Sequence, residues 1–289
     1  MKFLKDKMLL IIALILILGG IIVFMYPTVS NYLAEKNQAE VIHEYNDAVA
    51  ELDEETIEEE LEKAQTYNEN LSGDPVHDPF VEGSGYALPD DYTDVLNISG
   101  NGVMAYIEIP EISVYLPIYH GTDDEVLEKG VGHIQQTSLP IGGSSTHCVL
   151  TGHTGLPNAE LFTRIDELEV GDIFYIYVLN QTLKYEIYET EVIEPEDISE
   201  LTIEDGRDLV TLVTCTPYGV NTHRLLVKAE RTEYNEEEEQ ELIEEESQNS
   251  NKNIKLYIIG IAIGLIVILI AMISIHIAKK KKRKIRKKR

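Results

Sequence analysis

Between its two ends the chain is poor in positive charge. Ten of its 24 Lys and Arg residues fall in the last eleven positions, Lys279 to Arg289, and Lys2, Lys5 and Lys7 stand at the front. The body between has eleven basic residues against fifty acidic ones, and the whole chain carries a formal charge of -27. Such a body repels phosphate, so no nucleic-acid partner is expected. Cysteine is also scarce. Cys148 and Cys215 allow at most one disulfide, not a disulfide framework. Cys148, His153 and Cys215 lack the paired close spacing of a structural zinc site, so no metal or other cofactor is expected. No internal repeat is present, and 289 residues leave room for one good-sized domain with attachments.

What the chain does have is two long apolar runs. Met8 to Met25 is uncharged over eighteen residues, near the lower limit for a membrane-spanning helix, and Leu256 to Ala278 is longer. Lysines precede the first and the basic cluster follows the second, which predicts both termini in the cytoplasm and the acidic body outside. A cleaved signal peptide is the alternative for the first run. No small-x-small site follows it and Tyr26-Pro27 comes directly after, so an uncleaved anchor in membrane lipid is the expectation.

From Thr28 to about Tyr67 the chain has few breakers, and Ile42, Tyr45, Val49 and Leu52 recur at helical spacing. Turn formers at 72–80 and 83–85 then predict a loop, which carries an aromatic ring at Phe80. From Gly102 the pattern is β. Met104–Ile109 and Val114–Tyr119 read as a hairpin, followed by a short helix over Asp123–Glu128 and a strand around Cys148. Asn158–Leu168 has helical spacing. Strands are expected at Ile173–Leu179, Leu183–Val192, Leu209–Thr214 and Arg224–Ala229, giving seven or eight in all and a barrel- or sandwich-like β domain. The acidic, polar stretch 236–253 reads as a flexible stalk.

Cys215 ends the run Thr211-Leu212-Val213-Thr214, stopped by Pro217 and Gly219, and Arg224 opens the next β run. A thiol at a strand end beside a fixed cation is a candidate nucleophile; a buried structural cysteine is the other reading, and a Cys148–Cys215 disulfide a third. A nucleophilic thiol needs a base, and eight histidines are available. His153 stands between Gly152 and Thr154-Gly155, where a turn would present its ring to a cleft. Cys148, five residues earlier on an alternating strand, would point to the other face.

TLVTC at Thr211–Cys215, the following Arg224 and the preceding TGHTGLP at Thr151–Pro157 together resemble the sortases, in the order His, Cys, Arg. Asp78-Pro79-Phe80 looks like the lid of the class C, pilin-polymerising branch, as do the long N-terminal extension and the second apolar segment. The resemblance covers most of Gly102 to Arg231. It implies a mostly β fold, a closed eight-stranded barrel with short helices, preceded by a helical extension and flanked by two transmembrane helices. The expected division is 1–27 basic end and anchor, 28–71 helical extension, 72–100 lid loop and linker, and 101–232 catalytic barrel. An acidic stalk (233–254), a second span (255–278) and a basic tail (279–289) complete the chain.

By the same resemblance Cys215 forms a thioester with an LPxTG-like sorting signal, His153 moves protons and Arg224 stabilises the carbonyl oxygen. The implied partners are pilin or surface proteins bearing that signal and an amine acceptor, either a pilin Lys or a peptidoglycan precursor, in a Gram-positive bacterium. Two other readings stand beside this one. The first is a sortase that anchors proteins to the wall. The second is a non-catalytic membrane-tethered scaffold. A wall-anchored substrate protein is disfavoured, because no Leu-Pro pair continues as xTG before the last apolar run.

Overall fold

The computed structural model describes residues 2–71, 92–195, 197 and 201–235. Asp78, Pro79 and Phe80, nearly all of the acidic stalk and the whole second apolar segment lie outside them.

The helical extension is two helices, not one. The first, α1 (Lys2–Ala50), runs without a break from the apolar stretch through Pro27 into the extension. Its side chains from Ile15 to Phe24 are largely exposed, as are Tyr26, Val29, Tyr32 and Leu33. Farther along, Gln38, Ile42, Tyr45 and Val49 are buried at three- and four-residue spacing. The Tyr45 hydroxyl donates to the Met104 carbonyl (3.1 Å) and accepts from the Leu179 N–H (2.8 Å). The chain breaks at Asp53, whose extended backbone and carboxylate cap α2 (Glu54–Glu69) through the Thr56 N–H at 2.9 Å. Aspartate favours the cap over a helix interior, and Glu54 and Glu55 in the first turn add to the signal.

Eight strands close into a barrel in the order β1-β2-β3-β4-β7-β8-β6-β5. They are β1 (Val103–Ile109), β2 (Val114–His120), β3 (Val131–His133), β4 (Thr146–Thr151), β5 (Ile173–Val178), β6 (Gln181–Ile193), β7 (Asp208–Thr216) and β8 (His223–Thr232). The pairs β2–β3 and β4–β7 are parallel and the other ring contacts antiparallel. Inward side chains, among them Ile107, Ile118, Leu150, Phe174, Leu212 and Val227, fill the interior. A short helix, α3 (Asp124–Leu127), stands where expected. The helix expected over Asn158–Leu168 does not form. Leu161 takes φ 43°, and only the 3-10 turn Ile165–Glu167 is helical. The backbone there is used elsewhere: the Phe162 N–H donates to the His153 carbonyl (3.1 Å) and the Glu160 N–H to the Asn31 side chain (2.8 Å).

Strand directions fix which loops share an end of the barrel. The C-terminal ends of β1, β4, β6 and β7 lie together with the N-terminal ends of β2, β5 and β8. The β1–β2 turn (Pro110–Ser113), the segment after β4 and the β7–β8 loop therefore occupy one rim.

Candidate active site

Cys215 and Arg224 stand on that rim, directly opposite each other on β7 and β8. Directly opposed residues of an antiparallel pair share a face. Counting back by two places Cys215 on the face of Val213, and counting on by two places Arg224 on the face of Leu226. Both of those residues belong to a small apolar cluster outside the main core, with Val149, Ile134, Ile193 and Leu201. Both site residues are less than a tenth exposed. The Arg224 guanidinium donates through Nη1 to the His223 carbonyl at 3.1 Å, which holds its base against β8.

His153 reaches the same row through β4. Thr151 is opposite Val213 in the parallel pair. The pairing continues past the end of β4, because the Gly152 N–H donates to the Val213 carbonyl (3.2 Å) and the Thr214 hydroxyl to the Gly152 carbonyl (2.7 Å). One residue further in this register, His153 comes level with Cys215. Neighbouring strands are about 4.8 Å apart, so the backbone positions of His153, just past the end of β4, Cys215 on β7 and Arg224 on β8 line up, with Cys215 in the middle.

The order along β4 explains why only one of the two cysteines is on this face. Cys148 and Leu150 point into the main core while Val149 points to the outer cluster. Burial pushes the Cys148 thiol well above its ordinary range, and no disulfide joins it to Cys215. The disulfide reading is thereby overturned.

Gly152 is required by close packing. A Cβ there would lie 2.8 Å from Cγ of Phe162, itself fully buried. After it the chain turns at Gly155, whose φ is 77° and whose N–H donates to the Thr163 hydroxyl at 3.0 Å. The Tyr218 ring of the β7–β8 loop packs on Gly155, close enough that a Cβ there would meet it at 3.2 Å.

Burial draws the His153 imidazole below its ordinary pKa, and the Asp124 and Glu128 carboxylates beside α3 pull it back up. The net direction favours the neutral ring at pH 7. Those two acids are a part of the site that sequence reading left as a plain short helix; its run of acidic residues was the available signal. The other histidines of the barrel have other work. His120 lies between the Gly102 and Val95 carbonyls, His133 is buried against Tyr92, and His147 joins the Thr202 carbonyl to the Thr211 hydroxyl. His223 faces Glu194 at 3.3 Å. Among the described residues no cluster of three or more His, Cys, Asp or Glu is placed to hold a metal.

A buried thiol flanked by a neutral imidazole and a fixed guanidinium is equipped for acyl transfer. The imidazole can take the thiol proton, and the cation can stabilise an oxyanion. A family model described as Sortase domain matches residues 107–232. The chain is similar to sortase D of Bacillus subtilis, 36% identical over 112 residues, which cover 39% of this chain and 54% of that protein. It spans about half the length of that relative. Among solved structures it is similar to sortase C-1 of Actinomyces oris, with 52% identity and a TM-score of 0.60 over 62% of this chain and 99% of the other. A sortase C of Streptococcus pneumoniae, whose description concerns catalysis and pilin substrate specificity, is 40% identical with a TM-score of 0.62, over 68% of this chain and 97% of its own.

Proposed function

The chain belongs to the sortase family of cysteine transpeptidases, and on that premise we propose that it is a class C enzyme acting through Cys215, His153 and Arg224. The observation that supports this reading is the backbone register, which pairs Cys215 with Arg224 and, continued one residue past Gly152, brings His153 level with Cys215 at the same rim. An extended LPxTG-like sorting signal lies along the groove, and Cys215 attacks the carbonyl carbon of its Thr. The thiol proton passes to His153, which is neutral beforehand and so able to accept it. Arg224, always charged and largely removed from water, donates to the developing oxyanion. The protonated imidazole then gives its proton to the departing amine, leaving a thioester on Cys215. An incoming amine releases the acyl group by the reverse sequence, and its proton returns through His153 to the sulfur.

A Lys amine of another pilin subunit is the acceptor we infer, since the solved relatives are class C enzymes; a peptidoglycan amine would make the chain a wall-anchoring enzyme instead. The segment Asp78-Pro79-Phe80 is read, from the family resemblance, as a lid over the groove. The exposed apolar side chains from Ile15 to Phe24 support a membrane anchor. With the second apolar run this gives a two-span topology, both termini in the cytoplasm and the barrel (101–232) outside.

The test is incubation of the protein with an LPxTG-type peptide, followed by mass spectrometry. An acyl adduct on Cys215 that is absent from Cys215→Ala and released by an added amine is the expected result. An adduct elsewhere, or neither an adduct without amine nor an amine-ligated peptide with it, would leave a tethered scaffold as the better account.

A further inference from the structure

His153 lies at the end of β4, and the segment beyond it is tied to the helix that comes from the membrane. The Glu160 N–H donates to Asn31 Oδ1 at 2.8 Å. Asn31 Nδ2 donates to the Glu35 carboxylate at 2.7 Å and lies 3.4 Å from that of Glu160. Burial and the Glu160 charge together push the Glu35 carboxyl up, as expected for two acids sharing one amide. Two residues beyond Glu160, the Phe162 N–H holds the His153 carbonyl, and the Phe162 ring presses on Gly152.

Ala159, Leu161 and Phe162 are buried in the main core, but the space between this segment and α1 is not filled. A cavity of about 260 Å³ opens there, lined by Glu35 and Gln38 of α1, Val114 and Leu116 of β2, and Leu161 and Arg164. Where side chains do not fill the space, a directional polar contact must set the position. Asn31 supplies it. On the other side, the Arg164 guanidinium donates to the Ile112 carbonyl at 3.1 Å and fixes the far end of the segment to the β1–β2 turn.

We propose that Asn31 is a positioning residue for His153: its side-chain oxygen, by accepting the Glu160 backbone N–H, sets the 153–162 segment and through it the imidazole beside Cys215. This rests on the reading of His153 as the proton carrier. Asn31 touches no reacting atom and acts through one backbone hydrogen bond. Its loss leaves the fold and the substrate groove in place and displaces the ring, and small displacements of a catalytic group are expensive in rate.

The experiment uses the full chain in detergent micelles and transpeptidation of an LPxTG-type peptide, with kcat and KM separated. Asn31→Ala is expected to lower kcat roughly ten-fold, with KM within two-fold and the unfolding midpoint unchanged. The acid limb of the pH profile for Cys215 alkylation moves with it, because that limb reports His153. Glu160→Ala keeps the backbone donor and is expected to retain the parent kcat. A loss in Glu160→Ala equal to that in Asn31→Ala would overturn the assignment to the backbone bond. Unchanged kcat and pH profile in Asn31→Ala, beside an inactive His153→Ala, would overturn the proposal while leaving the catalytic reading intact. So would a fall in kcat that only tracks lost folded protein. A His153→Ala variant with full activity would instead remove the reading of His153 itself and this inference with it.

Discussion

Acid should loosen the barrel through one histidine far from the chemistry. His133, on β3, is fully buried, and burial with the neighbouring His120 holds its pKa down to about 3. Its tautomer is set by its partners. Nε2 faces the Ser138 carbonyl at 3.0 Å and must carry the hydrogen, so Nδ1 accepts from the Tyr92 hydroxyl at 2.8 Å. A second proton on Nδ1 would reverse that bond, leaving the hydroxyl, which also accepts the Gly121 N–H at 3.0 Å, only the longer 3.3 Å contact to the His133 carbonyl for its own hydrogen. In the unfolded chain the same imidazole titrates near 6.5. Below that pH the unfolded state takes up a proton that the folded state refuses. The stabilising contribution is therefore complete above about pH 6.5 and is lost as pH falls toward 3.

Between pH 7 and pH 4 the span below 6.5 is about 2.5 units, worth about 3 kcal/mol at 1.36 kcal/mol per unit. Carboxylates and other histidines add their own pH dependence, so the comparison must be with His133→Gln, which keeps a donor and an acceptor but cannot be protonated. Urea unfolding at pH 7 and at pH 4, followed by far-UV circular dichroism because the chain has no tryptophan, gives both losses. The loss in the parent should exceed that in the variant by about 3 kcal/mol. Equal losses would mean that His133 is solvated or charged in the folded state and that no dry cluster surrounds it.

Three further outcomes are expected at the site. Replacing Asp124 by Asn and Glu128 by Gln removes the two charges that hold the His153 pKa up, so the acid limb of Cys215 alkylation should shift to lower pH; a shift upward would refute the electrostatics. Gly152→Ala forces a Cβ against Phe162, and we expect roughly 1–3 kcal/mol of lost stability with a larger proportional loss of turnover, read by thermal melts and the peptide assay together. If Asp78-Pro79-Phe80 is the lid proposed above, replacing Asp78 and Phe80 by Ala should speed alkylation of Cys215. An unchanged rate would place that loop elsewhere.

Most strands were legible because runs such as Ile173–Val178 and Asp208–Thr216 are apolar, aromatic or β-branched nearly throughout and are bounded by turn formers. β3, with three residues, is too short for any period, and it exists because β2 and β4 need a strand between them. The break at Asp53 was written as an aspartate ahead of two glutamates but was hidden in a longer acidic run. The segment after His153 has helical spacing at Leu161, Ile165 and Leu168. Its backbone is nonetheless claimed by Asn31 and His153, partners that no local pattern can announce. Adjacency of Cys215 and Arg224 was readable from two β runs joined by a short loop. The level of His153 depends on the parallel β4–β7 pairing, which links residues more than sixty apart and is visible only in the fold.

The helix that leaves the apolar stretch meets the barrel first at Asn31, beside the rim that holds Cys215, and meets the opposite end later, at Tyr45. Asn31 is only six residues beyond Met25, about 9 Å at 1.5 Å per residue. If Met8–Met25 spans the bilayer as proposed, the rim that holds Cys215 is the one nearer the lipid surface. A polypeptide still moored in the same membrane could present its cleavage point by lateral diffusion alone, without being pulled clear of its own anchorage.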